Sequence, residues 1–355
     1  RKGKGMANYD LLLKGGHLID PSQNLNRKLD LGFCRGKVAE ISDDIDASDA
    51  EIVVNVDDAF VTPGLIDLHT HVYWGGTSIG IDAESYCLSG GITTVVDTGS
   101  AGPGNFSGFR EHVIDKSRFN ILAFLHISHA GIYAFSENVM VGESENLKMM
   151  DPIMAKKVIE KNRDIIVGVK VRLGKNTSGE NGLKPFQYAL DVAKSCNLPL
   201  MVHIDEAPPS YCDVVKTMRN GDILTHCFRP SPNCPIGPNN KILPEVLSAR
   251  DRGVLFDIGH GMGSLSFETT RKMFEHGFFP DTISSDIHAL CINGPVFNQI
   301  TTLSKFLNLG MPLTDVIRCS TSNASKALKH FDIGSLKVGK TGDASILRLV
   351  NGSFD

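Results

Sequence analysis

The sequence predicts an α/β fold: a (β/α)8 TIM barrel flanked by a small β-sandwich domain built from both chain ends. Three observations predict it. Eight short apolar, β-branched runs recur between residues 62 and 330, with capped helical stretches between them. That segment spans about 260 residues, the size of eight strand–helix units. Residues 9–61 and 339–350 have another texture, with β-rich runs separated by Gly, Pro, Asn and Asp clusters.

Composition bounds the possibilities. The chain has 355 residues, 41% hydrophobic and 21% charged, so a sizeable core can form. Length alone suggests two domains, but α/β barrels routinely exceed the usual domain size. Lys and Arg number 36 against 40 Asp and Glu, a net charge of −4, so no basic surplus calls for nucleic acid or an anionic membrane. No apolar run approaches the roughly 18–20 residues of a spanning helix. The N-terminal Arg1-Lys-Gly-Lys-Gly-Met6 is basic without an apolar run behind it, which argues against a signal peptide and puts the natural start near Met6. The abrupt end at Asp355 leaves room for a longer natural chain. Eight scattered cysteines with no Cys-x-x-Cys pair suit a reducing, cytoplasmic setting.

At the N-terminus, Tyr9–Gly16, Leu29–Ile41 and Glu51–Val56 read as strands, and Gly339–Val350 returns to the same pattern. The two ends are expected to pair in one small antiparallel sheet, giving domains of 1–61 plus 331–355 and 62–330. The eight barrel strands are read at Gly64–His69, Thr93–Asp97, Asn120–His126, Ile165–Val171, Leu200–His203, Ile223–His226, Val254–Ile258 and Thr282–Asp286. Asp151-Pro152 opens one helix, with Asp as cap and Pro in the first turn. Another runs from a Ser266 cap to a Gly277 stop. An open doubly wound sheet is the alternative, but it wants a Gly-rich phosphate loop after its first strand, and Gly64 leads into nothing of that kind.

Barrel enzymes carry their chemistry at strand C-termini, and that is where the costly residues of this chain fall. The lead-in Val61-Thr-Pro-Gly-Leu-Ile-Asp-Leu-His-Thr-His71 ends in two histidines two apart, which a β-strand aims to one side. Lys170 is read as closing the fourth strand, His203 the fifth, His226 the sixth and Asp286 the eighth. Six groups from five strand ends would thus face one mouth. A lone buried histidine is commonly a satisfied core residue; this repetition is not.

This ordered set resembles the binuclear amidohydrolase superfamily, within it the dihydroorotase-like group, and most of all the deacetylase-type members often labelled dihydroorotases or adenine deaminases. The likeness covers essentially the whole chain. It implies two divalent metal ions, Zn2+ foremost with Mn2+, Fe2+ or Co2+ as alternatives. His69, His71 and Asp286 would hold one, His203 and His226 the other, and Lys170 would bridge them as a CO2-derived carbamate. It further implies a metal-bridging hydroxide as nucleophile, with Asp286 as general base and then acid.

The dihydroorotase pattern expects an Arg two residues after the second histidine, where this chain has Tyr73. Arg172, two residues beyond Lys170 on the same strand face, is a substitute cation for a substrate carboxylate. Tyr73, His129 after the third strand and His288 beyond Asp286 are candidate pocket residues, and Cys227 reads as packing. Gly99–Gly108 and Arg229–Pro238 read as loops over the mouth. A small-molecule hydrolase follows, cleaving an amide or ester in an N-acetyl amino acid or O-acetyl hydroxy acid. A cyclic-amide hydrolase, an adenine deaminase-like enzyme and a non-enzymatic barrel relative are the alternatives. Such barrels often form homo-oligomers, though no interface is legible.

Overall fold

The computed structural model describes residues 8–353; the basic segment through Met6 and the terminal Asp355 lie outside them. Seven strands come first: β1 Tyr9–Lys14, β2 His17–Asp20, β3 Leu25–Lys28, β4 Asp30–Cys34, β5 Lys37–Ser42, β6 Ala50–Asn55 and β7 Phe60–Pro63. One sheet has the order β5-β4-β1-β6. Its β1–β6 pair is parallel and the others antiparallel.

The barrel follows with β8 Leu65–Thr70, β9 Ile92–Thr98, β10 Asn120–His126, β11 Ile166–Leu173, β12 Leu200–Ile204, β13 Ile223–Leu224 and β14 Leu255–Phe256. These seven pair in sequence order, all parallel. The eighth predicted run does not form a regular strand. Asp286 has φ 50°, a left-handed backbone that cannot continue one. The run still closes the ring through bridges Asp257–Thr282 and Thr70–Ile287. Backbone hydrogen bonds from Asp286 N to His69 O (2.7 Å) and from His71 N to Ile287 O (3.0 Å) complete the seam.

Alternation along β11 decides what faces the barrel interior. Val169, Val171 and Leu173 pack outward against the helices, so Gly168, Lys170 and Arg172 point inward. Gly168 is needed there, because a Cβ would lie 2.1 Å from the Phe124 ring. Ile66, Leu68, Val96, Leu122, Phe124, Met201 and Ile223 fill the interior below the mouth, and Ala324, Ala327 and Leu328 join the same cluster. The polar site therefore rests on a dry floor.

The predicted helices form with their caps. The Asp151 side chain accepts from Met154 N ahead of Pro152–Lys161, and Ser266 accepts from Thr269 N ahead of Phe267–Glu275. The chain then returns to the N-terminal region. β15, Ala344–Leu347, pairs antiparallel with β7 in a second sheet of order β15-β7-β2-β3. The expectation of one antiparallel sheet is thus corrected to two mixed four-stranded sheets. Both β1–β6 and β2–β7 are parallel, since in each case the chain makes an excursion and re-enters in the same direction. Leu13, Leu18, Leu31, Phe33, Val61 and Leu336 form the core of this region. β7 straddles the predicted boundary at residue 61. No helix among the described residues is long and apolar enough to cross a membrane.

Candidate active site

His69 stands in β8 within the register shift between Asp67 and Thr70, with His71 two residues beyond. Nε2 of each lies 3.1 Å from the same oxygen, Oδ1 of Asp286. The ligating atoms of these three residues lie within 4.8 Å of one another, a group that could hold a metal ion. The His69 and His226 rings are 5.3 Å apart, and those of His203 and His226 meet edge-on at 4.5 Å. Lys170 completes the set, its Nζ 3.4 Å from His69 Nε2. All six groups converge on one cavity of about 120 Å3.

Their positions along the strands differ from the expected ends. Lys170 is inside β11, which runs on to Leu173, and His226 lies two residues past β13. Both His226 (φ 62°) and Asp286 (φ 50°) are left-handed, an uncommon backbone for residues with side chains. Such strain persists only where surroundings enforce it.

Those surroundings also select the ring tautomers. Thr225 Oγ1 gives its one proton to Asp257 Oδ2 at 2.8 Å, so it accepts from His69 Nδ1 at 2.8 Å. The Asp257 carboxylate is itself fixed by Thr282 (2.7 Å) and Ser284 (2.8 Å). His226 Nδ1 donates to the Gly259 carbonyl at 2.7 Å. Both rings are left with Nε2 lone pairs free for a cation. His71 Nδ1 is 2.9 Å from Ser100 Oγ.

The donor set fits divalent cations. Lys170 is 1% exposed, and among the described residues no carboxylate pairs with it. Burial pulls its pKa down to about 7, the neutral amine being the form that adds CO2. His203 Nε2 is buried without a hydrogen-bond partner, with Asp205 Oδ2 3.6 Å away. Burial likewise drives the pKa values of His203 and His226 well below the usual range. Burial alone would raise that of Asp286, but the His69 and His71 rings, whenever their Nε2 atoms carry a proton, hold it well below the ordinary carboxylate range.

Of the expected substrate contacts, two line the cavity and two do not. Arg172 is in its wall, with Cζ 5.0 Å from the Phe135 ring centroid. His288 is there too. Its Nδ1 accepts from Leu290 N, leaving Nε2–H as the free donor, and burial lowers its pKa to about 4. Tyr73 is turned away, its ring 4.7 Å from Phe109 and its hydroxyl donating to Asn105 O. A tight turn from Trp74 N to Val72 O ends the strand alternation that would have aimed it inward. His129 is exposed and covers Gly104.

The cavity wall also corrects the expected loops. Ile79, Ile132, Phe135 and Met262–Ser264 line it, rather than Gly99–Gly108 or Arg229–Pro238. Ser100 meets His71 from behind, and Arg229 anchors the carbonyls of Asp205 and Asn233. Thr225, Asp257, Ser100, His126 and Glu143 were not anticipated. The one signal was Asp257, an acid inside the apolar run Val254–Ile258.

Comparison with known proteins agrees with this geometry. Residues 264–354 match the amidohydrolase family model. The chain is 33% identical over 320 residues to a deacetylase of Agrobacterium fabrum, covering 90% of this chain and 78% of that protein. A deacetylase of Brucella anthropi is 35% identical over 297 residues, covering 84% and 73%. Among solved structures, the fold is similar to that of an adenine deaminase, with TM-score 0.88 and 29% identity over 95% of this chain and 89% of that one. A dihydroorotase gives TM-score 0.87 and 32% identity over 96% and 90%. Likeness of this extent, carried by the sequence as well as the barrel, makes the chain a member of the amidohydrolase superfamily and a hydrolase acting on C–N bonds.

Proposed function

We propose that the enzyme deacetylates a small acylated acid, an N-acetyl amino acid or an O-acetyl hydroxy acid. One observation carries the choice of substrate: the Arg172 guanidinium stands in the cavity wall, on the strand that bears Lys170. Its planar fork suits bidentate grip of a carboxylate. Tyr73, at the position where the dihydroorotase pattern has its cation, packs on Phe109 instead. That disfavours the cyclic-amide reading. The deacetylase names of two relatives at 33% and 35% identity support the same choice.

In this reading His69, His71 and Asp286 would hold one divalent cation and His203 and His226 a second, with Lys170, as a carbamate, supplying a further anionic ligand. When bound, the cations, Zn2+ by preference of the donor set, make water a nucleophile at neutral pH and polarise the acyl carbonyl. Asp286 takes the proton of the attacking water and returns it to the leaving nitrogen or oxygen. His288, edge-on to the same Phe135 ring that Arg172 covers, offers its Nε2–H to a substrate oxygen, and Arg172 holds the acid. The about 120 Å3 cavity suits a short acyl group.

The test is a hydrolysis screen of protein reconstituted with Zn2+ and bicarbonate, using N-acetyl amino acids, O-acetyl hydroxy acids and cyclic ureides. Turnover of acetylated acids is expected, with KM raised about tenfold or more in Arg172→Met. Turnover confined to cyclic ureides would replace this reading with the cyclic-amide one.

A further inference from the structure

The loop between β10 and the helix at Pro152 carries a carboxylate, Glu143, into the barrel mouth. Its side chain is 3% exposed. Oε1 lies 3.1 Å from His126 Nε2 and 3.4 Å from Arg172 Nε. Ser128 N donates to His126 Nδ1 at 2.9 Å, so the His126 proton is on Nε2 and points at Glu143. His126 and Lys170 are register partners on adjacent strands. The loop is tied down on both sides of Glu143. Ser144 N donates to Thr177 O, while the Asn181 amide donates to the carbonyls of Ser144 and Glu145.

A guanidinium buried beside a cation-binding centre is repelled by whatever cations that centre holds. Arg172 has the Phe135 ring on one side, and its Nε has no hydrogen-bond partner. Glu143 is the carboxylate within ion-pair distance of it. The neutral His126 donor and the anchored loop prevent Glu143 from following a displaced arginine.

We infer that Glu143, oriented by His126, is the positioning residue that keeps the Arg172 guanidinium in the cavity wall and thereby gives the enzyme its preference for anionic substrates. The inference rests on the reading of Arg172 as the anchor of the substrate carboxylate. Glu143 touches neither the scissile bond nor the candidate metal ligands, so it acts on binding and charge discrimination.

The experiment compares wild-type, Glu143→Gln and Glu143→Asp holoenzyme on N-acetylmethionine and its uncharged carboxamide. For Glu143→Gln, KM for the acid rises about ten- to a hundredfold while kcat stays within about threefold, and KM for the carboxamide does not move. Glu143→Asp recovers part of the loss. Equal losses on both compounds, or an unchanged KM for the acid, overturn the inference while leaving the deacetylase reading intact. If wild type turns over neither compound, the same comparison is made on another acetylated acid that the screen identifies; if it turns over none, the deacetylase reading fails. The inference is then decided by a crystal structure of the Glu143→Gln holoenzyme. Displacement of Arg172 from the Phe135 ring upholds it, and an undisturbed Arg172 overturns it.

Discussion

The Lys170 amine lies 3.4 Å from the Nε2 atom of His69, with the Met201 sulfur as its other close polar neighbour. A buried ammonium among imidazoles is costly, whereas a carbamate at the same place supplies two anionic oxygens. Lys170→Ala is therefore expected to lose metal and at least three orders of magnitude in kcat. Short carboxylates such as propionate, entering the vacated space, should restore part of it. Native mass spectrometry of wild type grown with bicarbonate should find one CO2 adduct that the variant lacks. Metal-loaded wild type without the adduct would remove the carbamate from the mechanism.

Asp286 is assigned two duties, ligand and proton carrier. Its Oδ1 faces both His69 and His71. Asparagine keeps a ligating oxygen but cannot take up a proton at neutral pH. Asp286→Asn should retain much of its metal by elemental analysis and lose kcat by orders of magnitude. Near-wild-type kcat would show that the proton goes elsewhere.

Thr225 never reaches the cavity, yet it fixes the His69 tautomer by accepting from Nδ1 while donating to Asp257. Valine has the same shape and neither capacity. Outer partners of this kind are worth about 10–100-fold in metal affinity. Chelator competition should show that loss in Thr225→Val with only a small change in melting temperature. Wild-type affinity would mean that packing alone orients the ring.

The contrast between Thr225 and His69 shows where the sequence was legible. The candidate ligands stood out because His, Lys and Asp are expensive at the ends of apolar strands, so their repetition called for an explanation. Thr225, Ser100 and Glu143 are ordinary residues in ordinary places, and only the fold brings them behind the site. Tyr73 was carried over from the position of the dihydroorotase arginine, and it misses the cavity because the chain turns just beyond the end of β8 at Thr70. The irregular eighth strand was hidden for the opposite reason. Thr282–Asp286 has strand composition, but Ser284 bonds Asp257, Ser285 bonds Asp67 and Asp286 is left-handed. The sandwich was foreseen, its two parallel pairings were not, since register across a long excursion leaves no local trace.

Gly261 gives a test of how tightly the backbone holds Asp286, the proposed proton carrier. Its φ is +56°, and a Cβ there would stand 2.4 Å from Asp286 Oδ2. The left-handed backbone costs an alanine about 1 kcal/mol, a modest loss for the whole protein. The steric conflict is with the end of a side chain, so the carboxylate can move aside and the fold can survive. Gly261→Ala should thus melt within a few degrees of wild type while kcat falls about tenfold or more, because Asp286 is pushed off the position shared with His69 and His71. Loss of folding together with activity would instead show that Asp286 cannot yield, and unchanged kcat would show that its placement tolerates a shift of that size.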